Sequence, residues 1–148
     1  MDLRGYEYKI NEGLLNYEFS SEGPKGNIKK VVRFTLRNAN GLTYFNLGFG
    51  DLDATGTQMD DMAVSNNHDK DKVLATVALI VLDFTTHYKD IGIYAQGSTP
   101  SRTRLYQIAI VTNWVKIEPL LKVYGHLNNR WQPFQKNVNY EAFLALRK

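Results

Sequence analysis

Apolar and polar positions alternate through the first third of the chain, and a period of two predicts strands. Tyr6-Glu7-Tyr8-Lys9-Ile10 has the pattern of a short edge strand, and Leu15-Asn16-Tyr17-Glu18-Phe19 shows it more clearly. Ile28 to Arg37 is the best case. Val32, Phe34 and Leu36 fall on one face, and Lys29, Arg33 and Arg37 fall on the other with Val31 and Thr35 between them. Leu42 to Phe49 returns with Phe45, Leu47 and Phe49 on one face. Turn chemistry joins these runs. In Gly23-Pro24-Lys25-Gly26 the proline presets its own φ and Gly26 supplies a positive one. Asn40-Gly41 is a hairpin signal. The first half therefore reads as an antiparallel meander.

The pattern changes after Gly50. From Gly50 to Asp71 the chain is polar and turn-rich without a period, which is long for a loop in a compact domain. A helix is predicted from Lys70 to Tyr88, with Asn67 or Asp69 as its N-cap. Between Val73 and Phe84 it is apolar on nearly every side, so it must be buried on more than one face. A sheet plus a second helix, or a subunit interface, would satisfy it. Next come a strand at Ile91 to Ala95, a glycine turn, and a second helix from Ser101 to Trp114. Glu118-Pro119 breaks the chain. Leu120 to Leu127 and Arg130 to Phe134 read as a hairpin around Asn128-Asn129, with Pro133 marking an edge position. Asn139 is expected to cap a short terminal helix through Arg147. The expected fold class is α+β: a mostly antiparallel sheet, two main helices packed on it and a short C-terminal helix. No repeat or linker divides the 148 residues, so one domain is expected.

Composition narrows the chemistry. The chain has no cysteine, which excludes a disulfide framework, a thiol nucleophile and a cysteine metal site. That fits a reducing compartment. The N-terminus lacks the apolar core of a signal peptide, and the longest apolar run, Val73 to Leu82, is too short for a bilayer. A cytoplasmic protein without membrane partners is expected. The net charge of +3 is unevenly spread: +2 over residues 1–50, −5 over 51–100 and +6 over 101–148. An acidic middle beside basic flanks polarises the surface unless the fold intermixes the charges.

One segment has a physical reason to bind a ligand. Gly97-Ser98-Thr99-Pro100-Ser101-Arg102-Thr103-Arg104 joins a strand to a helix start. Helix N-termini favour anions through their free N–H groups and the macrodipole. Ser98, Thr99, Ser101, Arg102 and Arg104 are the candidate ligand-binding residues there, for a phosphate or carboxylate. The plainer reading is that Ser98 or Thr99 caps the helix, Pro100 fills its first turn, and the arginines pair with the acidic loop. Asp51, Asp53, Asp60 and Asp61 are the possible acidic partners. An arginine in a helix's first turn opposes the macrodipole, and a bound anion or a nearby aspartate would compensate it. The segment is not a P-loop.

A second candidate is the basic stripe Lys29, Arg33 and Arg37, which with Lys25 and Lys30 nearby could track a nucleic-acid backbone. Tyr44, about opposite on the paired strand, is placed to stack a base. Solvated strand faces are charged in the same way. Asn67-x-Asp69-x-Asp71 mimics the start of a calcium loop, but position 72 is lysine and position 78 is alanine, so no metal is assigned. The histidines at 68, 87 and 126 are scattered and no Gly-x-Ser-x-Gly elbow occurs. Asp83 lies in an apolar helix and needs a partner, for which Arg or Lys is the expected type.

Several segments together carry a resemblance: Gly23-Pro24-Lys25-Gly26, Phe49-Gly50-Asp51, Ser65-Asn66-Asn67, Lys72-Val73-Leu74-Ala75-Thr76-Val77-Ala78, and Gly97-Ser98-Thr99 followed by Arg102-Thr103-Arg104-Leu105-Tyr106. From about Tyr17 to Phe143 the chain resembles a family of small uncharacterised bacterial proteins, typical of Bacteroidetes, with a domain of unknown function. The resemblance implies a bacterial cytosolic origin and supplies no catalytic residues or cofactor. Three functions stay open. The first is a binding module for a phosphate-bearing ligand, either nucleic acid or a phosphorylated small molecule such as a nucleotide. The second is a protein-interaction module, a homodimer or a toxin–antitoxin-like accessory protein. The third is a small hydrolase or transferase working across an Asp/Arg cleft.

Overall fold

The strands form where the alternation predicts them, and they pair in chain order through the first half. The computed structural model describes residues 5–11, 13, 15–52, 59–60 and 67–148. β1 (Lys9–Ile10), β2 (Asn16–Gly23), β3 (Gly26–Ala39) and β4 (Leu42–Leu52) are an antiparallel meander. Gly23 pairs with Gly26 across Pro24-Lys25, and Gly26 takes φ +85°. Asn40 and Gly41 both have positive φ, the geometry that matches a hairpin turn to strand twist. β5 (Met59–Asp60) pairs back onto the end of β4 inside the stretch expected to be loop.

α1 (Lys70–His87) begins at the predicted residue. Asp69 occupies the N-cap position without capping through its side chain. Its carboxylate instead accepts hydrogen bonds from the Tyr6 and Ser21 hydroxyls, tying the helix start to β2. Asn67 is buried and bridges the same hairpin, donating to the Gly26 carbonyl and accepting from the Lys25 amide. Among the described residues Asp83 finds no Arg or Lys: it accepts from the Tyr8 hydroxyl at 2.9 Å, with His87 3.8 Å away. The Tyr8 pKa is raised, by burial first and by that hydrogen bond second.

The second half is β6 (Gly92–Ala95), α2 (Pro100–Thr112), α3 (Trp114–Ile117), β7 (Leu121–Leu127), β8 (Arg130–Pro133) and β9 (Ala142–Arg147). The second helix is broken at Asn113, whose buried side chain donates to the Ala109 carbonyl, so Trp114 starts a separate turn. β9 corrects the expected terminal helix. The segment has helix-forming residues, but it fills the gap between β6 and β7 and pairs with both. Ladder bonds on two sides, with Ala142 and Phe143 buried, override weak local preference. The finished nine-stranded sheet has the order β1-β2-β3-β4-β6-β9-β7-β8, with β5 beside β4. β4 and β6 run parallel; every other pairing among the described strands is antiparallel. The class is α+β, as expected.

The core lies on the sheet face that carries Phe34, Phe45, Ile93 and Phe143. Phe84 of α1 stacks on Phe34 with ring centroids 3.7 Å apart and meets Phe45 edge-on at 4.9 Å. Arg147 of β9 donates to the Leu82 carbonyl and the Thr85 hydroxyl of α1. Two residues of β3 depart from the two-face reading. Leu36 is 56% exposed because the β3–β4 hairpin runs past the core, and Ala39 and Leu42 are exposed there too. Val31 is buried on the outer face, the side on which β5 carries Met59 across Gly48.

Candidate functional site

Gly97 makes the sharp turn from β6 into α2, and no other residue fits. A Cβ there would lie 2.4 Å from the Arg102 Cβ and from the Thr103 nitrogen. Thr99 is the N-cap: its hydroxyl accepts from the Arg102 amide at 3.2 Å, and Pro100 follows in the first turn. The Thr103 amide bonds the Thr99 carbonyl, and the Thr103 hydroxyl accepts from the Gly97 amide. Pro100 has no N–H, so the Ser101 amide is the first-turn donor left for a ligand.

The two arginines part company. Arg102 turns toward the sheet, donating to the Phe49 carbonyl at 3.0 Å with its guanidinium 5.6 Å from the Phe49 ring centre. Arg104 is exposed and donates to the Asn139 side-chain oxygen at 3.3 Å, a neutral partner. It lines a groove of about 560 Å³ together with Ser98, Thr99, Ser101, Gln107 and Asn139. Gln107 is fixed there, donating to the Val138 carbonyl and accepting from the Tyr140 amide. Glu141 lines the groove as well, and its carboxylate accepts from the Asn128 amide at 3.1 Å.

Of the acidic candidates, the structure describes the side chain of Asp51. Asp51 bonds Lys30 at 2.6 Å, a nearly buried ion pair beside the Phe49 ring. Asp53, Asp61 and the side chain of Asp60 lie outside the described residues. Sequence reasoning grouped Lys30 with the basic stripe, but it is buried on the face of Val32 and Phe34. Among the described residues no group of three or more His, Asp or Glu side chains converges as a metal site.

Lys29, Arg33 and Arg37 do share the outer face of β3. Arg33 is engaged with the Asn16 side chain at 2.8 Å, and Lys29 lies in a shallow depression with Glu18 and Glu22. Arg37 is exposed and pairs directly across from Tyr44. The stripe is therefore broken into differently occupied positions, and the groove at α2 is a separate feature.

A second opening, about 70 Å³, lies at the seam of α1, α2 and the sheet. Its walls are side chains such as Val77, Ala109 and Phe143, and it offers no converging polar group to orient a ligand. Among the described residues no helix is long and apolar enough to cross a membrane.

Neither a curated protein nor a solved structure matches the chain. A family model, described as a family of unknown function (DUF6934), matches residues 2–148, and the chain belongs to that family.

Proposed function

We propose that this protein is a small binding module for a phosphate-bearing ligand, a nucleotide or nucleic acid, held in the groove at the start of α2. The observation that carries the reading is Arg104. It is a cation at the positive end of a 13-residue helix, and its partner among the described residues is the neutral amide of Asn139. An anion bound at the helix start would meet both this charge and the positive end of the macrodipole. Arg104, the Ser101 amide and the hydroxyls of Thr99 and Ser101 are the donors, and charge-assisted bonds to phosphate are the strong kind. Asp51 is engaged with Lys30, away from Arg104 and the groove it lines. We place the two longer helices on one face of the sheet, which leaves the groove at the end of a rigid strand–turn–helix unit. The lack of cysteine suits a bacterial cytoplasm.

The test is calorimetric titration with adenosine monophosphate and with inorganic phosphate at low salt. Binding is expected to weaken steadily as salt rises, and Arg104→Ala is expected to weaken it about tenfold or more. Binding that is absent, salt-insensitive, or unchanged in Arg104→Ala rejects the reading.

A further inference from the structure

Rings cross the sheet on the face opposite Phe45 and Ile93. Strand alternation puts Tyr44 of β4, Tyr94 of β6, His126 of β7 and Trp131 of β8 on this outer side. They touch in series. Tyr44 and Tyr94 have centroids 5.7 Å apart, Tyr94 and Trp131 6.1 Å, and Trp131 and His126 4.9 Å. The interplanar angles of 56°, 75° and 58° are edge-to-face or tilted, so each ring braces the next in a fixed orientation. Trp131 is 44% exposed, high for a tryptophan.

The charge on this face is one-sided. From β4 to β8 no carboxylate stands on it among the described strand residues, by the same alternation. Arg37 pairs directly with Tyr44 at one end of the row, and Lys122 lies on the outer side of β7. The row also reaches the groove at α2. The Tyr94 hydroxyl donates to the Gln96 side-chain oxygen at 2.7 Å, and Gln96 lines that groove.

We infer that this face binds single-stranded nucleic acid, with unpaired bases stacked on Trp131, Tyr94 and Tyr44 and the backbone drawn by Arg37 and Lys122. Aromatic platforms with flanking cations take single strands because every base has a π-face, whereas a duplex keeps its base faces stacked inside. The inference rests on the phosphate reading above for the ligand's class, but its residues are distinct from Arg104. Gln96 makes the two surfaces contiguous, so one strand spans both.

The test uses the full chain and a fluorescein-labelled oligothymidylate, read by anisotropy and by quenching of tryptophan emission. Saturable binding with quenching is expected. Trp131→Ala and Tyr94→Ala are each expected to weaken it about tenfold, with Trp131→Phe recovering most of the loss. The matching duplex is expected to bind at least about tenfold more weakly. Equal binding of the duplex, or unchanged affinity in both alanine variants, overturns the inference. Should an alanine variant lose its native circular dichroism, quenching in the unaltered protein decides the matter. If oligothymidylate fails to bind while phosphate binds through Arg104, the inference falls and the groove reading stands. If it binds through the rings with Arg104→Ala neutral, the groove reading falls instead.

Discussion

Tyr17 is fully buried, and among the described residues its hydroxyl has no hydrogen-bond partner. It is packed among the rings of Tyr8, Phe34 and Phe84. A buried hydroxyl left unpaired costs about 1–3 kcal/mol, so Tyr17→Phe is expected to be neutral or to stabilise the protein by about 1 kcal/mol at neutral pH, read by urea unfolding. The same residue sets an alkaline limit. Burial, and next the Asp83 charge, push its pKa from 10.0 up to about 12. A group whose pKa is raised on folding holds its proton more tightly in the native state. Its contribution is intact below pH 10 and is lost as pH rises toward 12. Tyr17→Phe is expected to flatten the fall in stability over that window, and an unchanged slope would assign the fall to other groups. Lys30 shows how far single residues were legible. The alternation that correctly placed Val32 and Phe34 inside also placed Lys30 inside, yet a lysine reads as solvated until its partner is known. Asp51 is 21 residues away, and only the β3–β4 register brings it opposite.

Elements were most legible where local chemistry agreed with tertiary demand. The β3–β4 hairpin, its Asn40-Gly41 turn, α1, and the capped start of α2 all lie where pattern and turn residues predict. β9 did not, because its residues serve a helix locally and a strand only when β6 and β7 are already beside it. α1 shows the opposite balance. Its all-round apolar middle meets aromatic residues from several strands, and Phe84 alone touches Tyr17, Phe34, Phe45 and Tyr88. Phe84→Ala removes a fully buried ring and leaves a cavity among rigid neighbours. The expected loss is about 3–5 kcal/mol by chemical denaturation. A loss under about 1 kcal/mol would mean that α1 is held elsewhere along its length.

At the scale of the whole molecule, the meander β1–β4 and the second half β6–β9 meet through one short parallel pairing, Tyr44 to Leu47 against Gly92 to Ala95. That junction was the least legible part of the fold. The order β4-β6-β9-β7-β8 depends on pairings between distant segments, and neither strand announces its neighbour by composition. The ring row shares this origin: Tyr44 could be read as facing Arg37, but Tyr94 and Trp131 become neighbours only through the strand order. Four paired residues are a weak bond between halves, so cohesion has to come from the core. There the packing is continuous. Phe84 meets both Phe34 and Phe45, one apolar cluster runs from Tyr17 to Phe143, and Arg147 at the chain's end bonds to α1. A shared core makes partial unfolding expose apolar surface on both sides, which favours a single cooperative transition. Both tryptophans, Trp114 and Trp131, lie in the second half, so their fluorescence reports that half alone. Urea unfolding followed by tryptophan fluorescence and by far-ultraviolet circular dichroism is therefore expected to give one midpoint and one slope. Fluorescence changing at lower urea than the dichroism would show the second half melting off a surviving meander, with the β4–β6 pairing as the line of separation.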